Sequence, residues 1–400
     1  MSNVKDQFIS DAQSLLPETI ALRRKIHQHP ELGNDCPQTR AAVLDALSSL
    51  GLEVHLSETT SGLVAVLDSG RAGPSIVLRG DMDALPMPED TGLPFSSEIE
   101  NRMHACGHDS HTAMLAGAAS LLVKHKDKLR GQVKFMFQPG EESPGGAGLM
   151  MEEGLLDIGG KSDAAFALHI EPNIECGKIA CRPGPFLAAA EDIHIKIIGK
   201  GGHGSMPHLA NDPVPVACEL VQAFQAFVTR RIHAFDPVVL SVGKLTAGTV
   251  SNVIPEYAEL SATLRSFSKE SGSLAREGIV RLANNIAAAH EMKAEVAFYD
   301  GYPPTLNDPN FVGFVAGLVD KYFGADSYQP MPEPYMGAED FSLLLEKMPG
   351  AMAFLGVAPD GVAPEKAPPC HSNRMILNEK ALSRGVAMHA AVAYEFLSSR

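Results

Sequence analysis

Apolar residues in this chain fall into two kinds of run. Short stretches at 62–67, 75–78, 132–137 and 164–168 are mostly hydrophobic, the signature of strands covered on both faces, and 53–56 is a further strand candidate. Between them lie longer segments with helical spacing. Two helices are expected within residues 1–50, separated at His27–Gly33 by Pro30 and Gly33, and further helices over 112–126 and 148–154. Apolar strands alternating with helices predict a mostly parallel sheet flanked by helices.

The pattern changes after Arg182-Pro-Gly-Pro185. Ile193, Ile195 and Ile197 alternate with polar residues, and a glycine-rich loop follows at 199–205. Then come a helix at 212–233, strands at 237–250 and 256–267, a helix at 269–291 and a strand at 293–299. This β-α-β-β-α-β order is the split unit of a ferredoxin-like sandwich. The expected class is α/β: a discontinuous first domain, 1–185 and 302–400, interrupted by a ferredoxin-like α+β insertion at 186–301 and closed by a helix at 378–398. Its 400 residues exceed what one core usually organises.

Charge narrows the partners. A net charge of −15 disfavours nucleic acid and anionic membranes. The short basic run Leu22-Arg-Arg-Lys25 reads as a solvated helix face. The N-terminus is amphipathic and lacks an export-type apolar core, and no window reaches the roughly 18 apolar residues of a membrane span, so a cytoplasmic protein is expected. Six cysteines (36, 106, 176, 181, 218 and 370) show no scaffold spacing and read as reduced thiols.

Candidate chemistry collects where strands end, as in open α/β sheets. Cys106, His108, Asp109 and His111 lie within six positions, Glu141 and Glu142 follow the strand at 132–137, His169 follows the strand at 164–168, and His371 stands near the end. Each is bland alone. Together Cys106, His108, Glu142, His169 and His371 supply a thiolate, imidazoles and a carboxylate, which suit Zn, Mn, Co or Ni without ranking them. Five ligands exceed one tetrahedral ion, and two ions sharing the thiolate would use them economically. The Glu141-Glu142 pair suits a division between metal ligand and general base. His27 and His29, in a turn, are read as hydrogen-bonded scaffolding.

Five motifs in order resemble the M20 metallopeptidase superfamily, in particular its amidohydrolase branch of hippurate hydrolases, N-acyl-amino-acid amidohydrolases and indoleacetyl-amino-acid hydrolases. They are Met103-His-Ala-Cys-Gly-His-Asp-Ser-His-Thr112, Phe137-Gln-Pro-Gly-Glu-Glu142, Lys200-Gly-Gly-His203, Asn252-Val-Ile-Pro255 and Met336-Gly-Ala-Glu-Asp-Phe341. The resemblance runs from about His27 to His371 and implies a catalytic domain split by a lid and dimerisation domain. It implies two divalent ions per subunit, with Cys106 bridging, His108 and His169 on one ion and Glu142 and His371 on the other. It makes Glu141 the general base, His203 and Asn252 oxyanion donors, and Arg265 the partner of a substrate carboxylate, with Gly337 also at the substrate. Asp81, Asp83, Asp109 and His111 become supports behind the ligands. Hydrolysis of N-acyl-L-amino acids by a homodimer is the expectation; a carboxypeptidase or dipeptidase would use the same site. A non-catalytic homologue is the third reading, and the intact Glu141 argues against it.

The chain departs from the family pattern at Pro139-Gly140, Ser143-Pro144 and Gly204, and Cys370 adds a thiol beside His371. The tripeptide Arg79-Gly-Asp81 follows a buried-type strand and is discounted as an adhesion signal.

Overall fold

The computed structural model describes residues 4–142 and 145–398; the Ser143-Pro144 departure lies outside them. The chain forms two compact units, one of Met1–Phe186, Leu306–Glu333 and Leu343–Arg400, the other of Leu187–Thr305 and Pro334–Ser342. The segment Pro334–Ser342, expected with the first domain, thus packs with the second.

An eight-stranded sheet organises the first unit, in the order Glu53–Leu56, Leu63–Asp68, Gln132–Gln138, Ser75–Asp81, Ala164–Glu171, Gly350–Gly356, Ile179–Cys181, Tyr328–Pro330. Its four central strands, Gln132–Gln138 through Gly350–Gly356, are parallel. The antiparallel pairs lie toward the two edges. Every residue of Ser75–Asp81 and Gly350–Gly356 is buried, which is why these runs show no polar alternation. Helices His108–Lys124 and Leu382–Ser398 pack on one another and on the sheet. Leu78, Leu115, Phe135, Phe166, Leu355 and Val386 belong to this core, and each fully buried side chain of this size contributes roughly 1.5–3 kcal/mol of transfer free energy.

Several helix boundaries differ from expectation. Residues 1–50 hold three helices, Val4–Ser14, Leu16–Gln28 and Pro37–Leu47. The extra break falls where Pro17, which lacks an N–H, is tolerated only in the first turn of a new helix. The helix expected from Thr112 starts at His108. Among the described residues, no helix is long and apolar enough to cross a membrane.

The second unit is a four-stranded antiparallel sheet, ordered Val238–Ala247, Tyr257–Ser266, Ala189–Ile198, Lys293–Asp300. Helices Pro213–Arg231 and Lys269–Ala289 complete the β-α-β-β-α-β sandwich. Ile193, Ile195 and Ile197 share its core with Leu220, Phe224, Leu260 and Ile279. The helices start on side-chain caps, Asp212 on the Val214 N–H and Ser268 on the Ser271 N–H.

Candidate metal centre

Three parallel strands of the first unit deliver acids and imidazoles at their carboxyl ends. Ser75–Asp81 leads to Asp81 and Asp83, Gln132–Gln138 leads to Glu141 and Glu142, and Ala164–Glu171 carries His169. Gly107 makes the turn that presents Cys106 and His108 together. Its φ is +81°, and an added Cβ would lie 2.4 Å from Ile170 Cγ1, so only glycine fits. Gly140, just before the glutamate pair, is likewise left-handed at φ +74° and closes against the Asn34 side chain.

Several groups of potential ligands result, and two of them contain Cys106. The ligand atoms of Cys106, His108 and His169 lie within 4.8 Å of one another, as do those of Cys106, Glu142 and His371, so the Cys106 sulfur is common to both. His169 Nε2 is 3.4 Å from Cys106 Sγ. Its Nδ1 is 2.6 Å from the Ile170 carbonyl, a contact that requires the proton on Nδ1 and leaves Nε2 a lone pair facing the sulfur. His371 Nε2 lies 3.1 Å from Glu142 Oε1.

Electrostatics favour a cation here. Asp81, Asp83, Glu141 and Glu142 crowd around His108, at 3.5 to 4.0 Å from its ring nitrogens. Burial alone would lower the His108 pKa; Asp81, Asp83 and Glu142 overcome it and hold it well above the ordinary value. Both His108 ring nitrogens are buried without a hydrogen-bond partner among the described residues, and unlike other buried rings of that kind they stand among carboxylates and beside Cys106 and His169. Contact with the Cys370 thiol, burial and the Glu142 carboxylate raise the Cys106 pKa well above normal; a divalent cation would reverse this by stabilising the thiolate. The residues present therefore fit two divalent ions sharing Cys106.

Asp81, His108 and His111 form a further close group, but Asp81 and His111 are already engaged. His111 Nδ1 is 2.6 Å from Asp81 Oδ1, and its Nε2 accepts the Ile170 N–H at 2.8 Å. The other Asp81 oxygen is held by Arg79, whose Nε reaches Gln138 Oε1 at 2.8 Å. Asp83 accepts the backbone N–H groups of Glu141 and Glu142.

Asp109 turns away from the ligands. Its Oδ2 receives Arg23 Nε and His27 Nδ1, each at 2.7 Å. Burial opposes its ionisation, yet Arg23 and His27 push its pKa far below the carboxylate range. This corrects the reading of Arg23 as a solvated residue. It is 2% exposed and also reaches Glu379, because Arg23 and His27, four apart, point inward from one helix face. Arg24, by contrast, lies on the surface side of the same helix and pairs with Glu379. His27 is fully buried, with Glu89 Oε1 3.2 Å from its Nε2, whereas His29 is half-buried and caps the Lys25 carbonyl.

The remaining candidates belong to the second unit. His203 and Asn252 share a small ribbon, Gly202–His203 paired with Val253–Ile254. His203 Nδ1 accepts the Ser205 N–H at 3.1 Å, so the ring proton sits on Nε2. Gly204 donates its N–H to the Asn252 carbonyl at 2.8 Å, and a Cβ there would stand 3.0 Å from that carbonyl. Arg265 is half-buried on Tyr257–Ser266, with Nη1 2.6 Å from Thr263 Oγ1. The Gly337 carbonyl accepts the Ala188 N–H at 2.8 Å.

Sequence comparison matches residues 77–395 to the family described as Peptidase family M20/M25/M40. An N-acetyl-L-cysteine deacetylase of Bacillus subtilis is 37% identical over 87% of this chain and 82% of its own length. Thermostable carboxypeptidase 1 of Saccharolobus solfataricus is 36% identical over 98% of both chains. Among solved structures, the Bacillus subtilis YxeP protein, described as a dinuclear metal-binding peptidase from the M20 family, superposes with a TM-score of 0.84. That match covers 97% of this chain and 99% of YxeP at 31% identity.

Proposed function

Because this chain belongs to peptidase family M20/M25/M40 and is a hydrolase of that family, we propose that it cleaves the amide bond of N-acyl-L-amino acids, releasing a carboxylate and a free amino acid. The observation that carries this reading is the Cys106 sulfur standing in two three-residue ligand groups. Two divalent ions held by Cys106, His108, Glu142, His169 and His371 would polarise the scissile carbonyl and acidify the attacking water.

The protein's own groups do the rest. Glu141 is 8% exposed and its backbone is fixed by Asp83. We assign it the task of taking the proton of the attacking water and returning it to the leaving nitrogen. The family resemblance assigns His203, through its Nε2–H, and Asn252 to hydrogen bonds with the developing oxyanion. The same resemblance assigns Arg265, with its planar guanidinium, to the substrate carboxylate, and Gly337 to substrate binding.

Association through the second unit is part of the proposal. Val238–Ala247 is an edge strand with Val239 and Leu245 exposed, the kind of edge that pairing covers. Sedimentation at micromolar concentration should show a homodimer, and a monomer would refute it. Six free cysteines fit a reducing, cytoplasmic setting.

The deciding experiment is a screen of N-acetyl- and N-benzoyl-amino acids beside dipeptides, using protein reconstituted with Mn, Co, Ni or Zn. Turnover of the N-acyl substrates is expected. Turnover of dipeptides or longer peptides alone would instead establish the peptidase reading, which the carboxypeptidase relative favours.

A further inference from the structure

Cys370 has no task in the hydrolytic scheme, yet it stands against the central residue of that scheme. The His371 N–H donates to the Ala105 carbonyl at 2.8 Å. That bond ties the turn that carries Cys106 to the turn that carries Cys370. The two thiols are neighbours and both are free. Cys370 Sγ also lies 4.0 Å from the Ile170 carbonyl, the group that orients His169. Cys106 is 8% exposed and Cys370 is the more accessible of the two.

We propose that Cys106 and Cys370 form a reversible redox pair, an oxidative modification site at which a peroxide joins the two sulfurs and withdraws the shared ligand from the metal centre. The Cys370 thiolate attacks one peroxide oxygen; the O–O bond breaks, one water leaves and Cys370 becomes a sulfenic acid. The Cys106 sulfur then displaces the hydroxyl, so that an S–S bond forms, the S–O bond breaks and a second water leaves. Two thiols have given two electrons to the peroxide, and their protons end in water. A dithiol reductant reverses the link by exchange. Without Cys370, oxidation of Cys106 has no adjacent resolving thiol and proceeds to the sulfinic acid, which such reductants do not reverse.

The cross-link rests on the placement of the thiols alone, whereas its effect on hydrolysis rests on the function proposed above. The test treats the full-length protein with hydrogen peroxide, alkylates free thiols, and maps peptides under non-reducing conditions while following released metal and hydrolysis. In the wild type, the Cys106 and Cys370 peptides should be joined and lighter by two hydrogens, and dithiothreitol with added metal should restore activity to within about twofold of the untreated rate. C370S should start at wild-type activity, gain two oxygens on Cys106 and remain at least about tenfold below its starting rate after reduction. Separate over-oxidation of the two wild-type thiols would overturn the proposal, as would equal rescue of C370S. A cross-link formed with no release of bound metal would uphold the pair and count against the thiolate as a metal bridge.

Discussion

Asp83 holds the backbone of Glu142 and its neighbour at once: one carboxylate oxygen accepts the Glu141 N–H at 3.0 Å and the other accepts the Glu142 N–H at 3.1 Å. One side chain thus sets the orientation of both the proposed base and a proposed ligand. Asp83→Asn keeps the shape but turns one acceptor into a donor facing an N–H. The expected result is a loss of about 10–100-fold in kcat or metal affinity and of about 1–3 kcal/mol in stability. Steady-state kinetics and urea unfolding of the reconstituted variant measure both. An unchanged kcat and metal affinity would show that the glutamates hold their positions without Asp83.

Glu141 and Glu142 should separate when substituted one at a time. Glu141→Gln is expected to keep its metal and lose about 10²–10⁴-fold in rate. Glu142→Gln removes a charge from the group it forms with Cys106 and His371 and is expected to lose metal first. A chelator should abolish hydrolysis in the wild type, with recovery on adding back a divalent ion. Metal content beside initial rates distinguishes these effects, and a Glu141→Gln enzyme at full rate would remove that residue from the chemistry.

Much of this site was legible in the sequence because its elements are locally encoded. The apolar runs at 75–78, 132–137 and 164–168 mark buried strands, and the residues that follow them are the acids and imidazoles that meet in space. What stayed hidden depends on distant partners. Arg23 looks solvated beside Arg24, and only an acid 86 positions away, Asp109, explains its burial. The grip of Asp83 is on backbone N–H groups, which no side-chain pattern reveals. Adjacency in sequence drew attention to Cys370 beside His371, but its closeness to Cys106 depends on a fold that joins His371 to Ala105 through a backbone hydrogen bond.

The cluster around His27 should leave a pH signature. Burial would lower the His27 pKa, but the Asp109 charge and the hydrogen bonds that His27 donates to Asp109 and Glu89 raise it above 6.5. Burial would raise that of Glu89, but hydrogen bonds from His27, Thr91 and the Ser97 N–H bring it down to about 2. Stability from His27 is therefore complete below its unfolded value of 6.5 and is lost as pH rises through the raised folded value. Stability from Glu89 is complete above 4.5 and lost as pH falls toward about 2. The two coexist between 4.5 and 6.5. The difference in unfolding free energy between wild type and His27→Gln should be largest in that window and shrink toward alkaline pH. A difference independent of pH would mean that His27 is not charged in the fold.

His389 carries the opposite sign. It sits inside the helix Leu382–Ser398 with its ring edge-on to Phe166, centroids 5.5 Å apart, and neither ring nitrogen has a hydrogen-bond partner among the described residues. Burial pushes its pKa down to about 3. A depressed imidazole leaves stability intact above its unfolded value of 6.5. As pH falls the unfolded chain gains a proton that the folded ring refuses, and stability drains until the folded group titrates near 3. His389→Leu removes that proton uptake, at a packing cost of about 1–2 kcal/mol near neutral pH. Between pH 6.5 and 3 the variant should regain on the order of 3–5 kcal/mol relative to wild type, read as a flatter acid limb in denaturant unfolding. An acid limb with the wild-type slope would show that the ring keeps an ordinary pKa inside the core.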